Sequence, residues 1–121
     1  MVLVRGIRGA TTADNNTRES IVESTVEMLQ KMVDINDIPT EDIAAAIFTT
    51  TEDLNAEFPA TAARELGWEY VALLDSHEMK VPNSQSQCIR VLLLVNTTKG
   101  PADIQNVYLK GASNLRSRGI K

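Results

Sequence analysis

Arginines stand beside or inside the apolar segments of this chain: Arg5 and Arg8 in "VLVRGIRGATT" (2–12), Arg64 in "ATAARELGW" (60–68), Arg90 in "CIRVLLLVN" (88–96), and Arg116 near the end. Arg90 poses the sharpest chemical question. Read as a strand, its segment puts Cys88, Arg90, Leu92 and Leu94 on one face and Ile89, Val91, Leu93 and Val95 on the other. Apolar residues on both faces imply a strand covered on both sides. A guanidinium there is costly unless an anion meets it. Its planar fork of donors suits a carboxylate. Asp75 and Glu78 are the nearest carboxylates preceding it in the chain. Either Glu78 neutralises Arg90 in a structural ion pair or the arginine holds an anionic ligand, and patterning leaves both readings open. Arg5 and Arg8 differ by three, so on a regular strand they face opposite sides and at most one points into a given pocket.

Other catalytic apparatus is sparse. The chain has one histidine, His77, and one cysteine, Cys88. The sequence has no His, Cys and carboxylate cluster at metal-ligand spacing and no phosphate loop, so neither metal nor cofactor is expected. "GIRG" lacks the pattern and helix context of a nucleotide loop. His77, beside Glu78 in a polar stretch, reads as a solvated side chain, and Cys88 as a small core residue.

The elements that must carry these residues follow from periodicity. Residues 2–12 read as a strand bending at Gly6 and Gly9. Ile21, Thr25, Met28, Leu29, Met32 and Ile35 recur at helical spacing, predicting a helix over 17–34 with Asn16 as N-cap and Glu19 three residues on. "IAAAIFTT" (43–50) reads as a second strand. Pro59 as first helical residue and Gly67 as C-terminal cap bracket a short helix at 59–66. A third strand follows at 69–75, a polar loop at 79–87 with Asn83 able to take positive φ, and a fourth strand in the Arg90 segment. "KGPADIQ" (99–105) suggests a turn and short helix. "NVYL" (106–109) fits a fifth strand or one helical face. The last dozen residues have little periodicity, so a mobile tail is expected over about 110–121.

The 121 residues make one domain large enough for its own core, with 43% hydrophobic and 23% charged residues. A net charge of −4 argues against nucleic acid but leaves room for a small anion met by a few converging arginines. The positive charge is seven Arg and five Lys. A single cysteine, no stretch of membrane-span length and no cleavable signal pattern point to a cytoplasmic protein with no membrane partner. One amphipathic helix does not cover both faces of so apolar a sheet, so homo-oligomerisation is expected.

Five segments, "RGIRGATT" (5–12), "TTEDLNAEFPATAARELGW" (50–68), "EMKV" (78–81), "CIRVLLLV" (88–95) and "VYLKGASNLR" (107–116), resemble in order and spacing the monofunctional trimeric chorismate mutases of the AroH class. The resemblance implies an α+β fold: a five-stranded mixed sheet with one long and one short helix per subunit, three subunits forming a pseudo-α/β-barrel core with active sites between neighbours. It implies the Claisen rearrangement of chorismate to prephenate in phenylalanine and tyrosine synthesis, the shikimate route, without metal or cofactor. It also assigns roles. Arg90 contacts the ether oxygen and a carboxylate, Arg8 binds substrate carboxylate, and Tyr108 hydrogen-bonds it. Glu78 receives the ring hydroxyl and supports Arg90. Phe58, Ala60 and Arg64 line the cleft from the adjacent subunit, with Leu73, Leu74, Leu115 and Arg116 on the other wall.

Two positions depart from the family pattern at the cleft. Thr61 stands where lysine is common, removing one cation at the rim. Asp75 stands where some members have cysteine; it would raise the pKa of one of two close carboxylates or supply the hydroxyl contact itself. Asn83 and Gln85 replace a common glycine and leucine in the loop before the fourth strand. A non-catalytic trimeric module binding a small carboxylate is the alternative reading. The imine-deaminase family, of similar trimeric architecture, is disfavoured by "CIRV" and "FPATAAR".

Overall fold

The computed structural model describes residues 1–115. Five strands form one mixed sheet in the order β3-β2-β4-β1-β5: β1 (Leu3–Thr12), β2 (Ile43–Thr50), β3 (Ala72–His77), β4 (Cys88–Thr97) and β5 (Val107–Tyr108). β4 runs antiparallel to both β1 and β2, while β3 is parallel to β2 and β5 parallel to β1. The long helix α1 (Arg18–Asn36) and the short α2 (Ala60–Glu65) complete the expected α+β set, with 3-10 turns at Thr40–Asp42, Pro101–Asp103 and Lys110–Ala112.

α1 buries Ile21, Val22, Thr25, Met28, Leu29 and Met32. They pack with Ile7, Ile89, Val91, Leu93 and Val95, one face of β1 and β4. The helix lies close enough that a Cβ on Gly9 would overlap Met32 Sδ and sit 2.9 Å from its Cε. Gly9 thus admits the helix. Thr11, on the same face, is buried with its hydroxyl unpaired.

The predicted cap of α1 moves by one residue. Thr17 Oγ1 accepts the Ser20 amide at 3.1 Å, while the loop after β2 recruits Asn16. Asn16 Oδ1 accepts the Asn55 and Ala56 amides at 2.9 and 3.0 Å, and its Nδ2 donates to Asn55 Oδ1 at 2.8 Å. The helix runs on to Asn36 and ends at Asp37, in the left-handed region (φ 53°). β3 begins three residues later than periodicity suggests. Residues 67–70 first close the end of α2: Gly67 takes φ +81°, the Trp68 amide donates to Ala63 O at 3.0 Å, and the Trp68 side chain is buried. Pro59 is the N-cap of α2 rather than its first residue. Asn83 adopts φ 65°, as expected, and residues 107–108 are strand rather than helix.

The opposite face of the sheet carries Arg8, Ala10, Ile47, Thr49, Leu74, Arg90, Leu92 and Tyr108, as the pairings Ala10↔Arg90, Thr49↔Arg90, Ile47↔Leu74 and Ala10↔Tyr108 require. α1 does not cover it, and Leu74 and Leu92 stay 59% and 37% exposed. At one end the 110–115 segment forms a small roof, where Ala112 packs against Ala10 and Cys88 with Tyr108 and Leu115 alongside. The Gly111 amide anchors that roof to Thr12 Oγ1 at 3.2 Å. Packing therefore extends past residue 110, the expected start of a tail; residues 116–121 lie outside the described residues.

Candidate active site

Arg90 and Glu78 meet on the open face as a two-point fork. Arg90 Nε lies 2.9 Å from Glu78 Oε2, and Arg90 Nη2 donates to Oε1 at 3.0 Å. Such bidentate pairs are geometrically specific and stronger than single bonds. The glutamate side chain is 12% exposed and the arginine 48%. Arg90 is therefore half open to solvent in one chain, not sealed between two apolar layers. The fork occupies two of the five guanidinium N–H donors. The rest of the group faces Cys88 and a cavity of about 380 Å³ lined by Arg8, Ala10, Ile47, Thr49, Arg90, Tyr108 and Leu115 among others.

Backbone geometry delivers these groups. Glu78 follows the last residue of β3, and its amide donates to Thr50 O at 2.9 Å. Arg8 belongs to β1, where its amide donates to Asn106 Oδ1 at 2.8 Å, tying it to the residue just before the strand that bears Tyr108. Arg5 takes the other face, its Nε donating to Lys99 O at 3.1 Å. Of the two early arginines only Arg8 reaches the cavity, as their spacing of three requires.

Burial pushes the Cys88 thiol up to about 11, with Glu78 adding to the shift and Arg90 opposing it. Cys88 is a packed neutral thiol. His77 is exposed, its Nδ1 3.3 Å from Thr50 Oγ1. Among the described residues no group of three or more His, Cys, Asp or Glu is placed to hold a metal ion, and no helix is long and apolar enough to cross a membrane.

The remaining residues singled out in the sequence gather elsewhere. Phe58, 63% exposed, lines a second concavity with Asp75 and Ser76. Arg64 and Leu73 line a third around Trp68. Ala60 is fully buried. Glu57 accepts the Phe58 amide at 2.8 Å; that bond first, then the Thr61 hydroxyl and Arg18, holds its carboxyl below the usual range against some desolvation. Leu73 and Leu74, consecutive on β3, point to opposite faces, so only Leu74 shares the arginine face. Arg116 lies outside the described residues.

Asp75 corrects an expectation. It is on the α2 side of the sheet, across from Phe48, and its Oδ1 accepts the Ala60 amide at 3.1 Å. Burial raises its pKa, against the Ala60 bond and Arg64, with Glu57 adding slightly; Glu78 is not among the causes. Within one chain Asp75 anchors the first turn of α2 rather than sharing a site with Glu78.

Thr49 was not apparent from the sequence. Its Oγ1 donates to Glu78 Oε2 at 2.7 Å, directly beside the Arg90 contact. Only register places it there, through the pairings Thr49↔Arg90 and Thr49↔Ser76. Strand alternation allows that face but does not select it.

Residues 4–118 match the family model described as chorismate mutase type I. The chain is 48% identical over 115 residues to a protein named chorismate mutase AroH from Thermus thermophilus, covering 94% of each chain. It is 40% identical over 116 residues to one of the same name from Bacillus subtilis, covering 95% of this chain and 91% of that one. Among solved structures, a chorismate mutase from Clostridium thermocellum superposes with a TM-score of 0.88 at 48% identity, over 89% of this chain and 96% of the other.

Proposed function

The chain belongs to the type I chorismate mutase family, and we propose that it rearranges chorismate to prephenate at the face bearing Arg8, Glu78, Arg90 and Tyr108. The observation that carries the site assignment is the Arg90–Glu78 fork beside the cavity that Arg8 and Tyr108 also line. Chorismate is a flexible dianion. Its ether C–O bond breaks as a new C–C bond forms within the same molecule, so the enzyme is an isomerase and no atom enters or leaves. The reaction asks for a compact reactive conformer and for positive charge where the ether oxygen gains electron density.

Arg90 gives its remaining N–H donors to the ether oxygen and a carboxylate, with Glu78 holding the guanidinium plane. Arg8 and Tyr108 grip carboxylate, and Glu78 Oε1 receives the ring hydroxyl. No proton transfer is required of any of them.

The cavity is open on one side within a single chain. The uncovered Leu74 and Leu92 and the separate placement of Phe58 and Arg64 support a homotrimer in which each cleft takes its second wall from a neighbour. In that assembly Phe58, Thr61, Arg64, Leu73 and Asp75 approach the arginine face of the next subunit, while Ala60 contributes only backbone shape. Leu74 and Leu115 flank the arginines within their own chain, and Arg116 would follow. The cytoplasm is the proposed compartment, and the whole chain a single catalytic domain.

The test is disappearance of chorismate with purified protein and no added metal or cofactor, with prephenate identified as product. Turnover supports the assignment. A folded oligomer that binds chorismate without converting it would instead be the carboxylate-binding module.

A further inference from the structure

We propose that Thr49 is a positioning residue for this reaction, acting through Glu78; the inference rests on the chorismate mutase reading above. Three consecutive threonines end β2 and start the following loop, and each hydroxyl has a different destination. Thr50 Oγ1 faces inward toward Leu54 O at 3.4 Å. Thr51 Oγ1 bonds to Asp53 Oδ1 and accepts the Cys88 amide at 3.0 Å. Thr49 Oγ1 alone of the three turns to the open face and donates to Glu78 Oε2 at 2.7 Å.

The consequence lies in how the carboxylate is divided. Among the described residues Oε2 takes the Thr49 hydroxyl and Arg90 Nε, while Oε1 takes only Arg90 Nη2. A carboxylate oxygen accepts about two hydrogen bonds in good geometry. Oε2 is thereby filled, and Oε1 keeps an acceptor direction for a ligand hydroxyl. The planar fork fixes the two groups relative to each other, but both sit at the ends of flexible side chains, so the fork alone does not tie the pair to the sheet. The threonine is a third fixed point on a different strand, paired directly across from Arg90. It ties the carboxylate to β2 and so sets the direction in which Oε1 and the other guanidinium donors point.

Thr49→Val keeps the shape and branching of the side chain while deleting the hydroxyl, and Thr49→Ser restores it. The experiment measures kcat and KM for chorismate in wild type, Thr49→Val, Thr49→Ser, Glu78→Ala and the Thr49→Val/Glu78→Ala double variant, with melting temperature and oligomer size as folding controls. The expected result for Thr49→Val is a loss of about tenfold in kcat/KM, on the scale of one misplaced charge-assisted hydrogen bond. Thr49→Ser recovers most of it, and Thr49→Val adds nothing once Glu78→Ala is present, since a residue acting only through another is silent without it. Wild-type kcat/KM in Thr49→Val overturns the proposal. So does an equal loss on both the wild-type and Glu78→Ala backgrounds, or a loss that tracks a fall in melting temperature and is not restored by serine. A wild-type protein that leaves chorismate unchanged refutes the functional reading itself, an outcome distinct from an active wild type with an indifferent Thr49→Val.

Discussion

Replacing Arg90 by alanine separates a contribution to folding from a contribution to rate. The Arg90 side chain is 48% exposed, so the ion pair with Glu78 is screened and its loss costs about 1 kcal/mol of stability. Glu78 keeps its bond from Thr49 and its own amide's bond to Thr50 O, which limits the disturbance. For a domain of this size 1 kcal/mol corresponds to roughly 4 °C in melting temperature. A preorganised donor at developing negative charge contributes far more to a barrier, about 3–4 kcal/mol, or 10²–10³ in kcat. The two scales differ enough to be read apart in one preparation. Steady-state turnover of chorismate beside thermal unfolding by circular dichroism gives both, with Arg64→Ala as the reference. Arg90→Ala is expected to lose at least a hundredfold in kcat with a small shift in melting temperature, and Arg64→Ala to lose much less. A drop of more than about 10 °C with unchanged turnover per folded subunit would leave Arg90 a structural ion pair.

Asp75 gives a pH effect of definite sign. Burial holds its carboxyl above the ordinary value of 3.8, so the folded chain binds that proton more tightly than the unfolded one. Stability therefore falls as pH rises from about 3.8 through the raised value and stays lower above it. Asp75→Asn, which keeps an acceptor for the Ala60 amide, should remove that slope in denaturant titrations across mildly acid pH; an unchanged slope would assign it to another group. Thr11→Val removes the unpaired buried hydroxyl against Ile89 at nearly constant volume. It should raise unfolding free energy by about 1 kcal/mol, and a loss of stability would mean the hydroxyl has a partner in solution.

The arginines were legible because charge in an apolar strand is anomalous whatever the fold, and Glu78 because it lies close before Arg90 in the chain. The long helix was legible because five apolar residues and a threonine recur at its period. What stayed hidden depends on register. Whether Thr49, Thr50 or Thr51 faces Glu78 is set by which residue of β4 pairs with β2, a contact between segments about forty residues apart. The same holds for Asp75, whose proximity to Glu78 in sequence suggested a shared site, whereas its ladder position turns it toward α2. The N-cap moved for a tertiary reason: Asn16 is a good capping residue, but two loop amides at 55 and 56 compete for the same oxygen. Leu73 and Leu74 show the simplest limit, since neighbours on a strand do not line one wall.

The separation of the arginine face from the Phe58 and Arg64 surface has a genetic meaning. If each cleft joins the arginine face of one subunit to the α2 side of the next, a chain damaged in one half still carries a sound copy of the other. Two inactive alleles, one lacking Arg90 and one disabled at Phe58 and Arg64, would then complement. In a cyclic trimer holding both kinds of chain, the ring has a single junction where the two sound halves meet. With equal, random mixing about three quarters of trimers are mixed and one cleft in three of those is whole, so about a quarter of all clefts regain their full complement. Activity that belonged to neither parent would reside in the junction between chains and not in any one of them.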